Sequence, residues 1–492
     1  MSGKPKVVYL DNNSTTAMCK QARDVHQRWN EKCENPSSSS RIAKPSKKLI
    51  ADAKEYILNH CEVSDDPATG YTVLFTGGAT ESNAFILRST VDAWLLNRKS
   101  RPHLIISAVE HSSMIKCAAA LVKQGRATLT VIEPTVEGVV PVPAIVNAIT
   151  DDTCLVSVMF ANNETGAINS VKAIGRVCHD RNVPYHCDAV QGFGKYQIDL
   201  AKNNIDAMSA SFHKLCGPRG LGLMIISNGL ITGYGLEAQV NGSQQEGLRG
   251  GTENVPAIAA GMTALKCAFQ NRLEKNTRLY TLKKSIVDKL GAIYPVGEYT
   301  KYVQRGNLEE VETAFDDDTM EGFTGDGVVE LMREIRGGDN NASGFAPVEI
   351  VFLGPSVDEI HRSLPNTLLL AVAKNRLDAK GEFCNVKLRD ALDRRGVVVS
   401  ISSACNTESD KASHVLSAIR APRVIKQGVI RVSMGDSTTA ADIRQFIEAF
   451  QKAVAEQISP ETTRADAHEH RAKKSTKAPS KAKTPSRSNK KK

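Results

Sequence analysis

The chain has 492 residues, 41% of them hydrophobic and 24% charged, with a formal charge of +9 and eleven cysteines. That length calls for more than one core-bearing domain. No apolar run reaches the ~18 residues of a membrane span, "MSGKPKVVYL" lacks the apolar stretch of a signal peptide, and an odd, scattered set of cysteines without a C-x-x-C pair excludes a disulfide framework and a zinc ribbon.

These exclusions place the expected site of action in the cytoplasm, with no membrane contact and no bound metal. The positive charge is local. Ten Lys or Arg and no acid lie between Arg471 and Lys492, which leaves residues 1–470 at −1. Nucleic-acid binding is therefore not expected of the body. Residues 460–492 read as a disordered basic tail whose Lys, Ser, Pro and Ala content cannot bury a core. Such a tail would hold polyanions or nucleic acid weakly and in a salt-sensitive way, or act as a nuclear-import signal.

In chain order, residues 1–20 carry the polar run "YLDNNSTT" and are expected to pack with a smaller, C-terminal domain. From 71 to 227, the apolar or β-branched runs "YTVLFT", "HLIISA", "TLTVIE", "CLVSVMFA", "VPYHCDAV", "AMSASF" and "LGLMIIS" alternate with helical stretches such as "ESNAFILRSTVDAWLLNR". Strands separated by helices predict an α/β layer with a largely parallel sheet, in a large domain over 21–265. The periodic stretch "KCAFQNRLEKNTRLYTLKKSIVDKL", 266–290, predicts a helix leading out of it. A smaller α+β domain over 266–459 closes with the helix "TAADIRQFIEAFQKAVAEQIS" before Pro460. Within it, residues 307–345 read as an acidic surface insertion, partly helical at "GVVELMREI". Eleven Asp or Glu face two Arg between 307 and 339, without the alternating ligand spacing of a calcium loop.

Ligands of open α/β sheets gather beyond the carboxyl ends of the strands, so the polar residues closing each apolar run carry the chemistry. "VLFTGGATESN" turns through Gly77 and Gly78 into a helix at Thr80, offering backbone N–H groups to a phosphate. "IISAVEHSSM" ends at His111, "MFANNETG" at Asn162 and Asn163, "YHCDAVQ" at Asp188 and Gln191, and "SASFHKLCGPRG" at His213 and Lys214. Singly, each could be a cap, a satisfied ring or a solvated charge. Jointly, a lysine, an acid, a ring-shaped side chain and a phosphate turn on successive strand ends are the requirements of a pyridoxal phosphate site.

The series "YLDNNSTT", "FTGGATESN", "VEHSSM", "ANNETGAI", "HCDAVQGFGK", "SASFHKLCGPRGLG", "GLRGGTENVPAIAAG", "SSACNT" and "IRVSMG" resembles the cysteine desulfurases of the NifS/IscS type, within the class V aminotransferase-like enzymes. The resemblance runs in order from residue 9 to about 436. It implies the aspartate aminotransferase-like, PLP-dependent transferase fold and a homodimer. Lys214 would attach the cofactor, Asp188 would pair with its pyridine nitrogen, Gln191 would touch its ring hydroxyl, and His111 would stack on the ring and relay protons. Ala79, Thr80, Ser211 and His213 would hold the phosphate, with Thr252 reaching in from the second subunit. Asn163, beside the cofactor, and Arg431 would grip the carboxylate of L-cysteine. Cys405, in the polar stretch "SSACNTESDKAS", would take the sulfur as a persulfide and carry it to a protein acceptor for iron–sulfur cluster assembly or thiolation, with His111 as acceptor of its proton. Selenocysteine lyase would use the same residues. A binding protein acting through its basic tail would need none of them.

Overall fold

The computed structural model describes residues 7–98, 100–304, 348–374, 383–401 and 413–458. Cys405, the segment 307–345 and the tail 460–492 lie outside the described residues.

A short first strand, β1 (Val8–Tyr9), precedes the main sheet. That sheet holds β2 (Tyr71–Thr76), β3 (His103–Ser107), β4 (Thr128–Ile132), β5 (Thr153–Ser157), β6 (Tyr185–Asp188), β7 (Ala207–Ser211) and β8 (Gly222–Ser227), in the order β2-β8-β7-β6-β5-β3-β4. All neighbours are parallel except β8, which runs antiparallel to both β2 and β7. Strands inside the sheet, such as β3, β5 and β8, are buried along nearly their whole length because both faces are covered, whereas β4 at the edge is largely exposed. Along β3, Leu104 and Ile106 enter one core while Ile105 enters another. Along β7, Ala207 enters the first while Met208 and Ala210 enter the second.

Between β2 and the helix Ala79–Asn97 the chain turns hard against β8. A Cβ on Gly222 would stand 2.4 Å from the Gly78 carbonyl carbon, so glycine is required there. The stretch predicted as one helix over 266–290 is divided between Val255–Phe269 and Arg272–Ile293. The break falls at Asn271, whose φ of 55° is left-handed, a conformation asparagine tolerates better than most residues.

The remaining strands are β9 (Val296–Gly297), β10 (Val348–Leu353), β11 (Thr367–Lys374), β12 (Val397–Val398) and β13 (Val429–Ser433). Four of them form a second sheet, ordered β13-β11-β10-β9, whose apolar residues share a core with the helices Asn385–Arg394 and Ala440–Ile458. The two ends of the chain meet here. β1 pairs in parallel with β12, Val8 opposite Val397, and Asp11 bridges to Ser433. Residues 11–16 are thereby carried from the second sheet to the carboxyl edge of the first. Among the described residues no helix is long and apolar enough to cross a membrane.

Candidate active site

A cleft of about 980 Å³ opens where β2, β3, β5, β6 and β7 end, closed on its other side by residues 13–15 and by Arg431 on β13. Ala79, Thr80, His111, Asn163, Asp188, Gln191, Ser211, His213, Lys214 and Arg431 all line it. Thr252 does not. It is exposed on the segment before the helix Val255–Phe269. Cys405 lies outside the described residues.

Lys214 ends a single tight turn, Phe212–Lys214, that follows β7 directly. Its Nζ donates to the carbonyls of Asn13 at 2.5 Å and Ser14 at 2.8 Å. Burial, reinforced by the Arg431 and Lys195 charges and opposed by Asp11 and Asp188, pushes this amine down to about 8. A lysine so placed has a sizeable neutral, nucleophilic fraction near neutral pH, which an exposed one lacks.

Asp188, 3% exposed, closes β6. Its Oδ2 accepts from Asn83 Nδ2 at 2.8 Å and its Oδ1 from the Val190 N–H at 3.1 Å. Gln191 lies one turn beyond, with Nε2 3.5 Å from the Asn13 carbonyl and a buried Oε1 that has no donor. His111 caps the helix Ser112–Lys123 with its own ring. Behind it, the fully buried Glu110 accepts from Ser107 Oγ at 2.6 Å and from the Met159 N–H at 2.9 Å. Burial raises its carboxyl to about 8. His213, held down to about 4 by burial and then by Lys214 and Arg219, sets Nδ1 3.0 Å from Thr15 Oγ1.

The phosphate turn is narrower than the sequence predicts. The Gly77 N–H is already taken by Glu81 Oε2 at 2.7 Å, and Glu81 is itself paired with Arg249 at 2.9 Å. The N–H groups of Gly78, Ala79 and Thr80, at the start of the helix, have no acceptor among the described residues. They and the Thr80 hydroxyl are the donors that an anion would meet.

On the far wall Arg431, 6% exposed, donates from Nη2 to Asp11 Oδ1 at 2.7 Å and Ser14 Oγ at 2.8 Å. Its Nη1 donates to the Asn163 carbonyl at 3.1 Å. Its Nε is buried without a partner.

The unsatisfied groups test whether pyridoxal phosphate suits this site. Each buried polar atom left without a partner costs about 1–3 kcal/mol. Here these are the Gln191 Oε1 and the Arg431 Nε–H, beside which stand the half-buried to exposed N–H groups of Gly78, Ala79 and Thr80. A ligand with a phosphate, a ring hydroxyl and a basic ring nitrogen, together with an amino acid carboxylate, satisfies all of them. The residues present therefore fit the group.

Five polar residues at this site did not stand out singly in the sequence: Asp11, Asn13, Ser14, Asn83 and Ser113. The first three belong to the polar run after β1, and that run was the available signal. Asn83 lies one helical turn from Ala79, a spacing that could have marked it, whereas Ser113, two residues from His111, carries no such periodic signal.

The aminotransferase class-V family model matches residues 8–313. The cysteine desulfurase IscS of Clostridium botulinum is 29% identical over 91% of this chain and 94% of its own length. That of Methanosarcina thermophila is 29% identical over 92% and 93%. Among solved structures, a NifS-like protein superposes with a TM-score of 0.69 at 25% identity, covering 91% of this chain and 99% of the other. A NifS-like protein from Rickettsia africae gives 0.68 at 23% identity over 91% and 99%, a likeness of fold. With the matched segment holding Lys214, Asp188 and His111, the chain belongs to the aminotransferase class-V family, among its PLP-dependent cysteine desulfurases of the NifS/IscS type.

Proposed function

We propose that the protein converts L-cysteine to L-alanine and passes the sulfur, as a persulfide on Cys405, to an acceptor protein for iron–sulfur cluster assembly. The observation that carries this reading is the meeting in one cleft of a lysine lowered to about 8, a buried aspartate and a buried arginine with a free Nε donor. Bound there, pyridoxal phosphate supplies an aldehyde that captures amines and a protonated ring that draws electrons from the bonds of the captured amino acid.

The chain's own residues orient and protonate. Asp188 would hold the ring proton, Lys214 would anchor the cofactor and move a proton at the substrate carbon, and Arg431 with Asn163 would fix the carboxylate. In the transfer itself a bond forms between the Cys405 thiolate and the substrate sulfur while the substrate C–S bond breaks. The electron pair stays on carbon, and a proton completes alanine. A thiol serving both an enclosed cofactor and an outside acceptor needs a travelling carrier, which is the physical reason for placing it in "SSACNTESDKAS".

Thr252, exposed and away from its own cleft, is proposed to complete the phosphate site of a second copy in a homodimer. The basic tail is proposed to add salt-sensitive polyanion contact without entering catalysis, and the site of action to be the cytoplasm. In the deciding experiment, alanine and sulfide released from L-cysteine are measured beside the cofactor absorbance. Lys214→Ala should lose both the borohydride-fixed cofactor and turnover by more than about 1000-fold. Cys405→Ser should lose turnover and keep the absorbance, and a chain ending at Pro460 should keep both. Ordinary turnover in Cys405→Ser would overturn the persulfide assignment.

A further inference from the structure

His111 Nδ1 accepts the backbone N–H of Ser113 at 3.2 Å and lies 2.8 Å from Ser113 Oγ. A backbone amide only donates, so Nδ1 carries no hydrogen and the neutral ring bears its proton on Nε2. Burial is the chief cause that holds the ring's pKa below its usual value. Asp188 opposes this, while Lys214 and His414 add to it. Ser113 Oγ in turn accepts from Asn83 Nδ2 at 3.1 Å, and that nitrogen also donates to Asp188 Oδ2 at 2.8 Å. A carboxylate offers no hydrogen, so the amide nitrogen and not the oxygen of Asn83 must face it. With its oxygen filled from Asn83, the Ser113 hydroxyl sends its own hydrogen to His111. Every hydrogen from Asp188 to His111 is thereby assigned.

We propose that Asn83 and Ser113 are positioning residues that lock His111 in its Nε2–H tautomer and tie the ring to Asp188. The proposal rests on the desulfurase reading and sharpens it. A histidine held this way presents a donor to the cleft. Protonation at Nδ1 would force a hydrogen against the Ser113 N–H, so the resting ring is a poor acceptor for the Cys405 proton. His111 instead donates from Nε2 to groups that gain negative charge in the cleft. Asn83 is fully buried in a helix whose neighbours Phe85, Ile86 and Leu87 are apolar. A space-filling role there would suit an aliphatic side chain better than a buried amide whose Oδ1 has no partner.

The test is ¹⁵N NMR of the histidine rings, read in the full chain with and without cofactor, together with steady-state kinetics. The expected resting state is Nε2–H in both forms. Ser113→Ala should raise the His111 pKa and lower kcat about tenfold with KM within about twofold, and Ser113→Thr should restore both. Asn83→Ala should shift the pH midpoint of the cofactor absorbance while the fold, followed by circular dichroism, is kept. A hydrogen on Nδ1, or a folded Ser113→Ala with unchanged His111 titration and kcat, would overturn the proposal. Loss of the desulfurase reading would look different: no alanine from L-cysteine in the native protein, with the Nε2–H signal still present.

Discussion

The two walls of the cleft are built in opposite ways. The wall proposed to hold the cofactor comes from one stretch of chain, residues 77–214, in which the lining side chains follow the ends of strands of one sheet. The substrate wall joins Asp11, Asn13 and Ser14 to Arg431 and Thr367, partners more than 350 positions apart, through side-chain hydrogen bonds such as the 2.7 Å Asn13–Thr367 contact. Backbone geometry places the first set. The second is placed by mutual contact, so each of its members depends on the others.

The largest expected effect that separates the walls is at Arg431. Arg431→Lys keeps the charge but loses the planar fork that meets Asp11, Ser14 and Asn163 together. The expected outcome is a drop in kcat/KM for L-cysteine of about thirtyfold, roughly 2 kcal/mol, with the cofactor absorbance unchanged. Loss of the absorbance along with kcat/KM would mean that the walls are not separable.

A smaller effect should appear on the cofactor wall alone. The folded-state pKa of Lys214 is lowered from 10.5 to about 8, so the reactive neutral amine grows as pH rises through that value. Cofactor uptake by the cofactor-free protein should accelerate about tenfold between pH 7 and pH 9 and level off above it. An uptake rate still climbing toward pH 10.5 would show that the amine is not perturbed.

The smallest effect lies behind the same wall. Glu110 is raised from 4.5 to about 8, mainly by burial. Between those values the unfolded chain gives up this proton and the folded chain keeps it. The contribution to stability is therefore whole below about 4.5 and is lost as pH rises through about 8. Glu110→Gln, whose amide oxygen can still accept from Ser107 and Met159, should flatten that decline. Urea midpoints at pH 6 and pH 8, taken with saturating cofactor, would settle the point, and parallel shifts in the two proteins would refute it.

How much could be read from the sequence follows the same division. "YHCDAVQ" and "SASFHKLCG" announce their chemistry because a parallel strand, apolar on both faces, has only its end at which to be polar. β2 coincides with the run "YTVLFT" for the same reason. No periodicity links Asp11 to Arg431, and the pairing of β1 with β12 spans two residues, too short for any pattern. The division at Asn271 escaped because asparagine interrupts a helix without the signature of proline or glycine. In the sequence the Gly77 N–H reads as free for an anion, because nothing there shows that Glu81, four residues on, takes it.

The pairing of β1 with β12 also bears on synthesis. A ribosome delivers the chain from its N-terminus. By the time residue 227 has emerged, all seven strands of the main sheet and Lys214 have been made, but β12 and β13, which hold residues 8–11 in place, have not. Arg431 is still some two hundred residues from release. The nascent protein thus makes Lys214 well before the contacts that set Asn13 and Ser14 beside it can form. Until the last strand closes over residues 7–14, the cleft has only one of its two walls.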